Sequence, residues 1–176
     1  IRGGRIGAIP SKSVAHRMLI CAAFADRPTF LRCHATSEDI DATVRCLCAL
    51  GARITRTEDG FHVTPADSPW PVDPVLDCGE SGSTLRFLVS VAAVLGADAT
   101  FVGAGKLPQR PMGALLDALA PHGVTFTRHT ADELPLTCNG TLRGGRYSLP
   151  GNISSQYLTG LLFALPLAAE DSEIEV

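Results

Sequence analysis

Three short loops of this chain combine small polar residues with nearby cations, each just ahead of an apolar helical run. They are Pro10-Ser11-Lys12-Ser13, Gly79-Glu80-Ser81-Gly82-Ser83-Thr84 and Gly151-Asn152-Ile153-Ser154-Ser155-Gln156. Serine caps a helix by accepting a hydrogen bond from one of its first free amides. Those amides carry a partial positive charge and bind anions. Small residues let an oxyanion come close to the backbone. Lys12, Arg17, Arg86 and Arg110 add full charges, and an arginine fork fits phosphate or carboxylate. One such loop is an ordinary capped helix with solvated basic residues. Three loops with four cations point to the binding of small anions.

Two phosphate motifs fail on spacing. A Walker loop needs glycine immediately before the lysine and another five residues earlier, where this chain has Ser11 and Ile6. Gly103-Ala104-Gly105 lacks the third glycine of a dinucleotide fingerprint, because position 108 is Pro108. Ser13 and His16 can touch on one helix but have no evident orienting carboxylate, so they are not a triad.

The elements that must carry these loops recur. Ile1 to Ile9 reads as extended, and Ser13 to Ala25 as a helix apolar on nearly every side and therefore buried. Thr29 to Cys33 alternates as a strand. Ser37 caps an amphipathic helix to Leu50 whose face is Ile40, Val44, Leu47 and Leu50, and Gly51 stops it. Ala52 to Thr57 and Phe61 to Thr64 are strands about a Glu58-Asp59-Gly60 turn. Proline-rich residues 65–74 connect to a second round: strand Val75 to Cys78, buried helix Thr84 to Leu95, strand Ala99 to Val102, amphipathic helix Met112 to His122, then strands Val124 to Arg128 and Leu134 to Cys138.

Arg17 is answered by Arg86, 69 positions on, and Thr29-Phe30 by Thr100-Phe101, 71 on. A near-constant period marks stacked units. The expected units are 9–70, 75–140 and a partial third at 145–176, with strand Arg146 to Leu149, buried helix Ser155 to Ala169 disturbed by Pro166, and strand Glu173 to Val176. The third unit lacks its amphipathic helix and last strand pair, so the expectation is an amino-terminal fragment: one incomplete α/β lobe of α+β repeats, helices inside and sheets outside.

Composition narrows the partners. The chain has 176 residues, 45% apolar and 19% charged, with net charge −3 and pI near 5.9. A phosphate-backbone binder would show a basic excess, so nucleic acid is not expected. No apolar run reaches about 18 residues, so no membrane span is expected. Met18 to Ala25 mimics a short signal peptide, but the pattern recurs deep in the chain. Asn139-Gly140-Thr141 and Asn152-Ile153-Ser154 are chance glycosylation matches in a cytosolic protein. The six cysteines lack a C-x-x-C pair and mostly sit in apolar runs. They read as buried thiols of a reducing, cytoplasmic setting, without zinc.

Together the loops resemble a known family. S-K-S-V-A-H-R at 11–17 resembles the amino-terminal signature of the 5-enolpyruvylshikimate-3-phosphate synthases, the 3-phosphoshikimate 1-carboxyvinyltransferases. G-E-S-G-S-T-L-R at 79–86 is similar to their second glycine-rich loop, L-P-Q-R-P-M-G-A-L-L-D-A-L at 107–119 to their arginine-proline segment, and G-N-I-S-S-Q-Y-L-T-G-L-L-F-A-L-P-L-A at 151–168 to their serine-serine-glutamine segment. The resemblance implies two lobes of β-α-β-α-β-β units, the second lobe lying outside this chain.

It also implies a transferase of the shikimate pathway of aromatic amino-acid biosynthesis. Such an enzyme moves the enolpyruvyl group of phosphoenolpyruvate to the 5-hydroxyl of shikimate 3-phosphate, with no cofactor or metal. By motif, Lys12, Ser13 and Arg17 would hold shikimate 3-phosphate, with Lys12 also reaching phosphoenolpyruvate. Gly82 and Arg110 would hold phosphoenolpyruvate, Ser154 and Ser155 the shikimate phosphate, and Gln156 would lie between the substrates. Arg86 matches the motif arginine as a loop support. The proton-transfer carboxylates would lie in the absent half, so this piece alone is expected to be inactive.

Glu80 stands where the family commonly has asparagine, Ala15 where it has serine and Ser83 where it has threonine. Two other readings compete. The sister transferase acting on UDP-N-acetylglucosamine carries asparagine after the lysine and a cysteine in the arginine loop, where this chain has Ser13 and no cysteine over 103–111. The other is a non-catalytic anion-binding lobe.

Overall fold

The computed structural model describes residues 11–34 and 37–176. The extended segment expected over Ile1 to Ile9 lies outside them. Helix α1 spans Lys12–Ala23, strand β1 Thr29–Arg32, α2 Glu38–Ala49, β2 Arg53–Arg56 and β3 Gly60–Thr64. Then come β4 (Val75–Asp77), α3 (Gly82–Leu95), β5 (Thr100–Val102), α4 (Gly113–Leu119), β6 (Val124–Arg128) and β7 (Leu136–Gly140). The chain closes with β8 (Gly145–Ser148), α5 (Ser155–Ala164) and β9 (Ser172–Glu175).

Three sheets follow the chain order. The first has strand order β1-β3-β2, all antiparallel, with Leu31 opposite Phe61 and Ile54 opposite Val63. The second, β4-β5-β7-β6, pairs β4 parallel to β5 and then runs antiparallel. The third pairs β8 parallel to β9. The β1-β3-β2 arrangement repeats as β5-β7-β6, and β4-β5 repeats as β8-β9. Parallel pairs need a crossover, which α3 and α5 supply.

The strands alternate burial: β4 turns only Leu76 inward, and β5 only Phe101 fully so. One face of each sheet therefore meets the helices and the other meets water. Helix α3 is the centre. Leu85 and the whole run from Phe87 to Val94 are buried, which matches its apolar sequence on all sides. It ends at Gly96, whose φ of +63° suits glycine, and whose N–H donates to the carbonyls of Ala92 and Ala93. Helix α5 lies against it closely, with Gly160 beside the Arg86 carbonyl and Phe163 edge-on to Phe87.

Three expectations change. Helix α1 is not buried on every side: Val14 (57% exposed), Met18 (49%) and Cys21 lie open on one face. Among the described residues α1 packs chiefly on α2 and the first sheet, with Arg17 reaching α3 and α5, whereas α3 lies between α2, α5 and the second sheet. Helix α5 ends at Ala164, earlier than Ala169, and a 3-10 turn over Leu165–Leu167 follows, because Pro166 has no N–H to continue the ladder. The cysteines are not uniformly buried: Cys46, Cys78 and Cys138 are, Cys33 is half-buried, and Cys21 and Cys48 are exposed on helix outer faces.

Candidate functional site

Each of the three loops ends in a serine cap. Ser11 accepts from the Val14 N–H at 3.4 Å, Ser81 from Thr84 at 3.2 Å, and Ser154 from Gln156 at 3.2 Å. The extended backbone of these serines turns each loop so that the first amides of α1, α3 and α5 stay free of intrahelical partners.

The helices are joined near these ends. Arg17 of α1 donates to the Ser13 hydroxyl at 2.5 Å and its carbonyl at 2.8 Å. It reaches Thr159 of α5 at 3.4 Å and lies over the Phe87 ring of α3, 5.2 Å from its centroid. Gln156 bridges in the same way: its carbonyl oxygen accepts from Arg86 at 2.7 Å and its amide donates to Ser83 at 2.9 Å. Arg86 also donates to the Pro111 carbonyl at 3.5 Å and sits over Tyr157, whose hydroxyl donates to that carbonyl at 2.8 Å. The Arg110 segment is thereby tied to α3 and α5.

At Gly82 two guanidinium groups converge. An added Cβ there would lie 3.0 Å from Arg110 Nη1 and 3.3 Å from Arg86 Nη1. The Arg86 Nε is buried and has no hydrogen-bond partner among the described residues. No carboxylate pairs with Arg17, Arg86 or Arg110 among those residues. Two like charges beside a helix start, with a buried N–H left over, form a place where an anion is the missing partner.

Lys12 is exposed, and its ammonium pairs with Asp39 of α2 at 2.7 Å rather than joining the arginines. Ser13 and Ser155 are exposed, and Ser154 is half-buried as the α5 cap. The Glu80 carboxylate lies against Gly105, in a groove with Glu38, Asp41 and Arg45. Its charge is directed to that groove.

Sequence reasoning missed one feature. His16 of α1 is buried, and its Nδ1 lies 2.7 Å from the Thr43 hydroxyl of α2. Thr43 lies 2.7 Å from the Thr84 hydroxyl of α3, which donates to Ser81 at 2.8 Å. Burial lowers the His16 pKa, opposed by the Asp39 carboxylate and assisted by Lys12 and Arg17. The available signal was a threonine in the otherwise apolar stripe Ile40, Val44, Leu47.

The sequence profile of the EPSP synthase family, described as 3-phosphoshikimate 1-carboxyvinyltransferase, matches residues 3–176. The 3-phosphoshikimate 1-carboxyvinyltransferase of Clostridium kluyveri is 41% identical over 173 residues, covering 98% of this chain and 40% of that protein. That of Clostridium beijerinckii is 40% identical over 180 residues, covering 98% and 41%. The chain thus spans about two fifths of the length of the curated relatives it matches. In fold it is similar to the EPSP synthase of Acinetobacter baumannii, with a TM-score of 0.82, 23% identity, and coverage of 97% of this chain and 40% of that one. A fainter likeness is to the enolpyruvyl transferase NikO of Streptomyces tendae, at TM-score 0.58 and 14% identity. By its profile match over nearly the whole sequence, the chain belongs to the EPSP synthase family.

Proposed function

We propose that this chain supplies one wall of a site that transfers the enolpyruvyl group of phosphoenolpyruvate to the 5-hydroxyl of shikimate 3-phosphate, releasing phosphate. The observation that carries it is the convergence of Arg86 and Arg110 on Gly82 with no carboxylate among the described residues to neutralise them. Gly82 and Arg110 take phosphoenolpyruvate there. Lys12, Ser13 and Arg17 take shikimate 3-phosphate, Ser154 and Ser155 its phosphate, and Gln156 lies between the two. Arg86 joins this set, because its buried Nε offers a donor. Lys12 must leave Asp39 to reach a ligand, at a cost of about 0–1 kcal/mol for so exposed a pair.

The acid and base belong to the remaining length seen in the relatives, which is the partner of this wall. Cysteine usage supports a cytoplasmic setting, with three thiols buried among apolar residues. No helix of the described residues is long and apolar enough to cross a membrane.

Titration of the purified chain tests the reading. Shikimate 3-phosphate should bind on the millimolar scale, roughly −4 kcal/mol, because one wall gives half the contacts. Shifts should centre on residues 12–17 and 154–156, and phosphate release should be absent. Arg110→Ala should weaken phosphoenolpyruvate about tenfold through loss of a charge-assisted fork, with the melting temperature unmoved. Undiminished binding by that variant, or no shift at the named residues in the parent chain, would sink the proposal.

A further inference from the structure

The buried chain from His16 to Ser81 has a direction, and the direction follows from counting protons. Thr84 has one hydroxyl proton, and the geometry gives it to Ser81 Oγ at 2.8 Å. In the 2.7 Å contact between Thr43 and Thr84, Thr43 must then donate. With the Thr43 proton spent, the 2.7 Å contact between His16 Nδ1 and Thr43 requires an N–H on the imidazole. Ser81 Oγ, accepting from both the Thr84 hydroxyl and the Thr84 amide, keeps its own proton unspent at the start of α3.

The elements joined are those that carry the candidate site. His16 sits between Lys12 and Arg17 on α1, Thr43 is on α2, and Ser81 and Thr84 flank Gly82 and Ser83 on α3. All four linked residues are buried. Asp39 lies at the junction: its carbonyl, 3.4 Å from both threonine hydroxyls, is a more distant acceptor than the 2.7–2.8 Å partners that take their protons, and its carboxylate holds Lys12. Apolar packing between α1, α2 and α3 tolerates sliding by a fraction of the 1.5 Å rise per residue. A chain of 2.7–2.8 Å buried hydrogen bonds does not, since each broken link leaves a polar group without water.

We propose that His16 is a positioning residue of the anion site: through Thr43 and Thr84 it orders a one-way chain of hydrogen bonds that sets the start of α3 against the start of α1. The words "anion site" rest on the function proposed above, and the chain itself is testable without it. His16 need touch no ligand. Its Nδ1–H holds Thr43, Thr43 holds Thr84, and Thr84 holds the cap that aims the Gly82 and Ser83 amides between Arg86 and Arg110.

Three measurements on the isotopically labelled chain decide the matter. First, long-range proton–nitrogen correlation spectra of the unliganded chain should show neutral His16 with its proton on Nδ1. A proton on Nε2 alone overturns the proposal, and this reading needs no variant. Second, amide exchange is compared in Thr43→Val and Thr43→Ser. Thr43→Val should speed exchange at Thr84 and Leu85, which donate to Ser81, by about tenfold, while Leu115 and Leu116 of α4, which donate to Met112, stay unchanged. Thr43→Ser should restore the parent rates. Equal acceleration everywhere, or none at Thr84 and Leu85, overturns the proposal. Third, phosphoenolpyruvate, which the proposed function places at Gly82 and Arg110, should bind Thr43→Val more weakly by on the order of three- to tenfold, and Thr43→Ser like the parent. Unchanged binding in Thr43→Val overturns the positioning role. Failure of the parent chain to bind at all refutes the proposed function instead, leaving the first two measurements to judge the hydrogen-bonded chain.

Discussion

Arg110 Nη1 lies 3.0 Å from the point that a Cβ on Gly82 would occupy. Gly82 is the first residue of α3, with ordinary helical backbone, so its lack of a side chain serves the approach of the guanidinium and not a turn. Gly82→Ala should therefore fold normally, since the tip of a flexible arginine can retreat. Retreat moves the charge off the helix start. Phosphoenolpyruvate binding should weaken by roughly three- to tenfold, part of the value of one charge-assisted hydrogen bond because the guanidinium shifts and is not lost, with the melting temperature within about 2 °C of the parent. Calorimetric titration beside a thermal melt checks both, and a large fall in melting temperature would show that Gly82 is needed for packing instead.

Gly160 gives the opposite pattern. A Cβ there would meet the Arg86 backbone carbonyl at 2.6 Å and Ser90 Oγ at 3.1 Å, and a helix backbone cannot swing aside. Gly160→Ala should force α5 away from α3 and cost about 1–3 kcal/mol. For a chain of this length the melting temperature should fall by roughly 2–12 °C. A melt indistinguishable from the parent would mean that α3 and α5 pack less tightly than described.

His16 makes stability depend on pH. Its pKa is lowered in the folded chain, first by burial, then by Lys12 and Arg17, against the pull of Asp39. The unfolded chain therefore binds the proton more readily, and stability rises with pH. The contribution of neutral His16 is complete above the ordinary histidine value near 6.5 and declines as pH falls through it toward the lowered folded value. Melting temperatures from pH 7.5 to 5 should fall more for the parent than for His16→Asn, whose amide can still donate to Thr43. Parallel curves would show that His16 does not titrate differently on folding.

The thiols should react in an order set by burial. Cys48 is exposed and should alkylate first. Cys21 is also exposed, yet partial burial raises its thiol pKa and should slow it. Cys138 is pushed up to about 12, chiefly by burial and then by Asp98. Cys78 is held well above its usual range by a hydrogen bond with Cys46 and by burial. Only the thiolate is the nucleophile. Iodoacetamide at pH 8, read by peptide mass spectrometry, should thus leave Cys46, Cys78 and Cys138 intact until the chain unfolds. Labelling of Cys138 at the rate of Cys48 would contradict the buried placement.

Much of this arrangement is local and so legible along the chain. Ser11, Ser81 and Ser154 cap their helices because hydroxyl and amide are two or three residues apart, a relation that sequence spacing states directly. The continuous apolar run of α3 can be satisfied only in the interior, and the two-residue alternation of the strands can be satisfied only with one face inward. The motifs around Lys12, Gly82, Arg110 and Gln156 carry the family because their order and spacing survive without coordinates.

What needed the tertiary structure is everything that joins residues tens of positions apart. Asp39 draws Lys12 aside from 27 residues away, Gln156 bridges Arg86 and Ser83 from 70 and 73 away, and Thr43 meets His16 and Thr84 from 27 and 41 away. The open face of α1 has the same origin, since apolarity states what a surface prefers and only the neighbours decide whether it is covered. Propensity and periodicity act within a few turns of chain, whereas hydrogen-bond pairing and close packing are decided by which elements meet.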